Sequence, residues 1–191
     1  MGNCPPVVIY KEKYLSYGES LLASIQQRKE QVATLSVASN SVLVVFKVIV
    51  GTLIGSVSII SEAIHSGMDL LAAIIAMFSV KKSHIPADDD HPFGHGKVES
   101  ISGLTEAALI FIAAFWIIFE ALKKLTSAQE VESPGCGVAV MFLSAALNFY
   151  VSRRLFAVGK EADSIALQAD AWHLRTDVYT SMGVMVSLGI I

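Results

Sequence analysis

The residues in this chain best suited to chemistry form two pairs that repeat one pattern. His65 and Asp69 stand four positions apart, and so do His173 and Asp177. In a helix that spacing puts both members of a pair on one face. Two imidazole nitrogens and two carboxylate oxygens are a set that Zn²⁺ accepts tetrahedrally, because the ion is borderline between hard and soft and carries no redox chemistry. For a single pair, hydrogen bonding that glues neighbouring helices is an equally good account. Nothing in that role explains a repeat of the same residue types at the same spacing, so metal ligation is the better reading.

Both pairs lie in long apolar runs. Of the 191 residues 53% are apolar and 16% charged, where soluble domains carry about a quarter charged residues, and the mean hydropathy is +0.58. These values exclude disorder and a disulfide-stapled secreted fold, and point to lipid as the solvent. A net charge of −3 leaves no basic field for nucleic acid. Cys4 and Cys136 are too few and too far apart for a framework and are read as bystanders. Five runs reach spanning length, at about 32–60, 62–80, 98–122, 135–158 and 164–191. The expected fold is an all-α polytopic transmembrane helix bundle with five spans. The first two spans are joined by a short turn at Gly55, Ser56 and Ser58.

Residues 1–30 read as a cytoplasmic amino-terminal segment, with Pro5 and Pro6 followed by an amphipathic surface helix that sets Tyr14, Leu21, Leu22 and Ile25 against Lys11, Glu19, Arg28 and Glu30. No signal peptide is apparent, and Met1-Gly2 lacks the hydroxyl residue of a myristoylation start because Pro6 stands there. The transmembrane domain is assigned to 31–191. Lys11, Lys13, Arg28, Lys29, Lys81, Lys82, Lys97, Arg153, Arg154 and Lys160 flank one side, and only Lys123 and Lys124 the other. The positive-inside bias therefore places the amino terminus in the cytoplasm.

An ionisable side chain at membrane depth costs at least about 2.5 kcal/mol, so each is a functional candidate. Counted at 1.5 Å per residue from Lys82 and Ser164, Asp69 and Asp177 both lie about 20 Å deep, where the two carboxylates can meet. Lys47 and Glu106 are expected to snorkel or to pair with one another. Asn40 and Asn148 are expected to bond between helices, and Arg175 to seek a carboxylate or water. Between the second and third spans, Asp88-Asp89-Asp90-His91-Pro92-Phe93-Gly94-His95-Gly96-Lys97 interleaves carboxylates with imidazoles on a bent backbone. Three aspartates alone would be a solvated turn, but the two histidines favour a divalent ion at the membrane surface. His84 reads as an ordinary surface residue.

Three segments carry a resemblance. Gly55-Ser56-Val57-Ser58 leading to Ser61-Glu62-Ala63-Ile64-His65-Ser66-Gly67-Met68-Asp69, the loop Asp90-His91-Pro92-Phe93-Gly94-His95-Gly96-Lys97-Val98-Glu99, and Ala169-Asp170-Ala171-Trp172-His173-Leu174-Arg175-Thr176-Asp177 resemble the cation diffusion facilitators, proton-coupled exporters of divalent metals. Three linked motifs in the right order are far more specific than any one of them. The resemblance runs from about residue 30 to the end, making 31–191 a cation-efflux transmembrane domain. It implies a homodimer with six spans per protomer and a cytosolic metal-binding domain, so the sixth span and that domain are read as absent and the chain as truncated. It also implies transport ligands at His65, Asp69, His173 and Asp177 and a loop-borne second site at Asp88, His91 and His95. Histidine at 65 resembles the zinc-type branch, with Cd²⁺, Co²⁺ and Fe²⁺ left open.

The expected function is export of a divalent cation, foremost Zn²⁺, from the cytoplasm in exchange for protons. Binding requires neutral imidazoles and ionised carboxylates, so metal and protons compete for one set of ligands. The expected location is a bacterial or archaeal cytoplasmic membrane. Two rivals stand beside this reading. One is a non-transporting metal-sensing or interaction subunit. The other, ranked last, is a membrane hydrolase, because a catalytic zinc keeps three protein ligands and an open position while this set supplies four.

Overall fold

Apolar runs with few helix-stopping residues give five long helices. The computed structural model describes residues 7–126 and 134–190; Met1, Gly2, Cys4, Pro5, Pro6 and Ile191, on which the expectations about the chain's ends rest, lie outside them. The helices are α1 (Val7–Ile54), α2 (Val57–Ser83), α3 (Lys97–Thr126), α4 (Pro134–Glu161) and α5 (Ile165–Ile190). The described residues contain no strand.

Two boundaries differ from the sequence reading. The amphipathic segment and the first span are one uninterrupted helix of 48 residues, since no proline after Pro6 breaks the hydrogen-bond ladder. At the other end of α1 the chain turns at Gly55 and Ser56, so Val57 to Ile60 open the second helix rather than closing the first. The amide of Ser56 donates to the Gly51 carbonyl at 3.1 Å, and its own carbonyl accepts from Ile60. Helices α4 and α5 are joined by a tight turn in which Asp163 adopts φ 48°, a conformation aspartate tolerates better than bulkier residues.

Four helices contain segments long and apolar enough to cross a membrane: Ser20–Ile54, Ser58–Ser83, Lys97–Phe115 and Gly135–Glu161. Among the described residues helix α5 gives no such segment, and it carries Asp170, His173, Arg175 and Asp177 in its first half. The bundle is turned inside out relative to a soluble protein. Ile64, Leu104, Phe111 and Phe142 are exposed, while Asn40, Lys47, Asp69, Glu106, Asp170 and His173 are buried. Lipid suits that outer surface, and only a protein interior can offer partners to the polar groups.

Helix α1 packs on α2 and α4, and α5 packs on α4, α3 and α2. The apolar core lies between α1, α2, α4 and α5 and includes Ala33, Val80, Val151, Leu155, Leu167, Ala171 and Leu174. Small residues allow close approach. Ala72, Ala73 and Ala76 on α2 are fully buried, and the hydroxyl of Ser152 on α4 donates to the Ala171 carbonyl on α5 at 2.9 Å. A side chain at Gly103 would start 2.8 Å from the Ile165 Cγ2, so the glycine lets α3 settle against α5.

At the end of the bundle that carries the 84–96 loop, Glu99 ties four elements together. It pairs with Lys29 of α1, accepts from Ser83 of α2 at 2.7 Å, and accepts from Ser164 at the start of α5 at 2.5 Å. Both members of the ion pair are buried. Removing one partner leaves the other charge without compensation, at a cost of about 3–5 kcal/mol. Lys29→Ala should therefore lower the thermal unfolding temperature in detergent markedly, and Lys29→Ala/Glu99→Gln should recover part of the loss; equal losses in the single and double variants would contradict the pairing.

Candidate metal centre

Helices α2 and α5 bring the two His-x-x-x-Asp pairs face to face. The Nε2 of His65 lies 3.7 Å from Asp177 Oδ1 and 3.9 Å from Asp69 Oδ1. Across the helix pair, His173 Nε2 is 3.0 Å from Asp69 Oδ1, a hydrogen-bond distance. One ligand atom from each of His65, Asp69 and Asp177 falls within 4.8 Å of the others, and His173 joins them through Asp69. Ligand atoms around a tetrahedral zinc stand about 3.3 Å apart, from metal–ligand bonds of about 2.0–2.1 Å. The separations of His65 from Asp69 and Asp177 and of His173 from Asp69 lie near that value, and His65, Asp69 and Asp177 form the compact group, while His173 stands outside it and touches it through Asp69. Asp69 and His173 are buried, and His65 and Asp177 are partly exposed.

Several other polar residues are placed differently from the sequence expectation. Lys47 neither snorkels nor pairs with Glu106; its ammonium donates to Ser66 at 2.8 Å and meets Glu62 at 3.3 Å. Pairing with α2 is closer at hand because α1 and α2 form a hairpin. Arg175 stacks over the rings of Phe156 and Trp172, at 5.0 and 5.8 Å from their centroids, so aromatic faces satisfy it rather than a carboxylate. Asn40 Nδ2 and Asn148 Oδ1 are buried with no hydrogen-bond partner, contrary to the interhelical bonds expected of them. Cys136 is an exposed free thiol. His84 is an exposed helix cap, its Nδ1 3.0 Å from the Lys81 carbonyl.

The 84–96 loop gathers a second cluster. Ligand atoms of Asp88, His91 and His95 lie within 4.8 Å of one another, whereas Asp89 and Asp90 are exposed and outside the group. Asp88 accepts from the His91 amide at 2.6 Å and lies 3.1 Å from its Nδ1, and its other oxygen is 3.8 Å from His95 Nε2. Gly94 makes the bend, donating its amide to the His91 carbonyl at 2.9 Å with φ 72°, where a Cβ would be strained. What little solvent Asp88 loses works to raise its carboxyl, but the hydrogen bonds from the His91 amide and imidazole, with the charges of His91 and His95, hold it below the usual carboxylate range.

Residues 33–191 match the cation efflux transmembrane domain family. The chain belongs to that family. This member of the cation efflux family is 42% identical over 137 residues to an uncharacterized transporter of Synechocystis, covering 72% of this chain and 44% of the relative. It is 32% identical over 161 residues to the magnetosome protein MamB of Magnetospirillum gryphiswaldense, covering 84% of this chain and 54% of the relative. Over 158 residues it is 28% identical to the cation-efflux pump FieF of Salmonella paratyphi A, covering 83% and 53%. The chain thus spans about half the length of the curated relatives it matches. Family and apolar helices together make it an integral membrane protein.

Sequence reasoning weighed no role for Asp170, which is fully buried on α5. Its signal was in the spacing, because Asp170, His173 and Asp177 fall at i, i+3 and i+7 on one helix face.

The depressed Asp88 carboxyl has a pH signature in metal-free protein. Its folded value lies below its unfolded one, so the order it lends the loop is complete above the unfolded aspartate range and is lost as pH falls through the lower folded value. The His91 amide should stay protected from hydrogen exchange, after correction for intrinsic rates, at acidities where an ordinary aspartate is already protonated. Loss of protection at the ordinary aspartate value would contradict the geometry.

Proposed function

We propose that the protein containing this chain moves a divalent metal cation out of the cytoplasm, with Zn²⁺ as the leading substrate and protons as the counter-ion. The observation that carries the reading is the convergence of His65, Asp69, His173 and Asp177 between two helices in a bundle that faces lipid. That one relative is a cation-efflux pump supports the substrate class.

Each group has a role in the proposed cycle. Asp69 and Asp177 supply the negative charge that draws a cation to membrane depth, and His65 and His173 supply the softer nitrogen ligands that favour Zn²⁺ over Mg²⁺ or Ca²⁺. The 3.0 Å contact between His173 and Asp69 holds a proton where metal must bind, so loading displaces it and reprotonation releases the ion. A change in the packing of α2 and α5 would expose the set first to one side and then to the other. Four protein ligands with no reserved open position suit passage of an ion better than hydrolysis.

Asp88, His91 and His95 are proposed as a second metal position on the cytoplasmic face. Lys81 and Lys82 close α2, Lys97 opens α3 and Lys160 lies in the last turn of α4, all at the loop end, and this supports a cytoplasmic loop and amino terminus. A homodimer in a bacterial or archaeal cytoplasmic membrane completes the proposal.

Zinc uptake into inverted vesicles under an imposed pH gradient tests it. Asp69→Ala and Asp177→Ala should each reduce uptake by about 10-fold or more while leaving the protein folded in the membrane, and collapsing the gradient should slow uptake in the unmodified chain. Uptake indifferent to both aspartates would refute the assigned site. His65→Asp replaces a nitrogen ligand by a harder oxygen and should shift preference towards Fe²⁺ or Mn²⁺; unchanged selectivity would remove the reason for placing Zn²⁺ first.

A further inference from the structure

A second group of buried acids lies between α3, α5 and α1, closer to the loop end than His173. Glu106 of α3 and Asp170 of α5 are both fully buried, and each lies within electrostatic reach of the other. Ser102 donates to Glu106 Oε1 at 3.4 Å, but Glu106 Oε2 and both carboxylate oxygens of Asp170 have no hydrogen-bond partner. Ser36 of α1, also fully buried, stands beside Asp170 with its hydroxyl outside hydrogen-bond geometry. Four unpartnered oxygens from three helices are thus enclosed in one region.

Among the described residues no lysine or arginine compensates the pair, and His173 is the basic neighbour of Asp170. The two buried lysines are engaged elsewhere, Lys29 with Glu99 and Lys47 with Glu62 and Ser66, and Arg175 lies over aromatic rings. Among the described residues neither Glu106 nor Asp170 forms an ion pair with a lysine or arginine. A pair of buried, ionised carboxylates is among the costliest arrangements in a protein interior unless a cation joins it or protons neutralise it. Asp170 precedes His173 by three residues, about 4.5 Å along α5, and His173, Asp69 and Asp177 are its electrostatic neighbours. The acid pair therefore stands on the face of α5 that leads from the loop end to the His and Asp ligands.

We propose that Glu106, Asp170 and Ser36 form a further intramembrane cation-binding position, which holds a divalent cation on the loop side of the His65, Asp69, His173 and Asp177 set. The proposal rests on the efflux reading. Two carboxylates match the charge of one divalent ion. Their all-oxygen donors, harder than the mixed nitrogen and oxygen set, bind Zn²⁺ more weakly and Mn²⁺ relatively better. Weak holding suits a position that an ion must leave, since conduction needs sites that are entered readily and vacated readily.

The experiment is equilibrium binding of Mn²⁺ and of Zn²⁺ to the full chain in lipid nanodiscs. It compares the unmodified protein with Glu106→Gln, Asp170→Asn, Ser36→Ala and Asp69→Asn/Asp177→Asn, with helicity checked by circular dichroism. Glu106→Gln and Asp170→Asn should each lose one equivalent of bound Mn²⁺, or weaken it by about 10-fold or more, and should keep the Zn²⁺ equivalent that Asp69→Asn/Asp177→Asn removes. Ser36→Ala, which changes no charge, should weaken the same Mn²⁺ equivalent. If Glu106→Gln does not fold, Glu106→Asp keeps the charge, shortens the reach by one methylene and should weaken that equivalent likewise. Unchanged Mn²⁺ and Zn²⁺ stoichiometry in a folded Glu106→Gln or Glu106→Asp protein overturns the proposal. So does a Glu106→Gln protein that binds both metals as before but takes up one proton fewer on acidification, which would make the pair a proton carrier. Failure of the efflux reading appears separately, as Zn²⁺ binding indifferent to Asp69→Asn/Asp177→Asn, and the Glu106-dependent equivalent still decides this proposal.

Discussion

A charge placed at membrane depth has no water to solvate it, and its cost falls only when another group in the bundle neutralises or hydrogen-bonds it. Most of the helix arrangement follows from that constraint. Lys47 is tolerated inside α1 because Glu62 and Ser66 of α2 meet it. Glu99 is tolerated at the start of α3 because Lys29, Ser83 and Ser164 converge on it. His173 and Asp69 satisfy each other across α2 and α5. Each of these contacts joins two or more helices, so the polar groups hold together a bundle whose outer surface gains little by leaving lipid.

The close pairing of α2 and α5 depends on their neighbours. Helix α5 is too polar in its first half to face lipid alone, with Asp170, His173, Arg175 and Asp177 within two turns. It is enclosed by α4, α3 and α2, and the enclosure is tight because the contact positions are small. Gly103 lets α3 approach Ile165, Ser152 anchors α4 to the Ala171 carbonyl, and Ala72, Ala73 and Ala76 thin the inner face of α2. Small residues at these contacts bring the acidic and imidazole side chains within reach of one another, which bulky ones would prevent. Positions outside the His and Asp cluster thereby set its geometry.

The loop cluster obeys a different logic. It lies outside the apolar spans, where water can solvate Asp89 and Asp90, and only Asp88, His91 and His95 are drawn together. The backbone bend at Gly94 and the His91 amide bond to Asp88 do this locally. Local geometry of this kind is legible in sequence, because histidines four apart with a glycine between them and an aspartate just before need no distant element to meet.

Apolar runs, the positions of charges and the repeated His-x-x-x-Asp spacing were enough to determine five helices and which faces of α2 and α5 carry the paired His and Asp residues, because each of these is set within one helix or one turn. Tertiary structure alone decided that Lys47 meets Glu62 rather than Glu106 and that Arg175 rests on Phe156 and Trp172. It also decided that Glu106 and Asp170 are buried together without a lysine. The physical reason is the same throughout. A helix face is fixed by a 3.6-residue period, but the partner that face meets depends on which helices pack side by side, and that is settled by contacts between residues far apart in the chain.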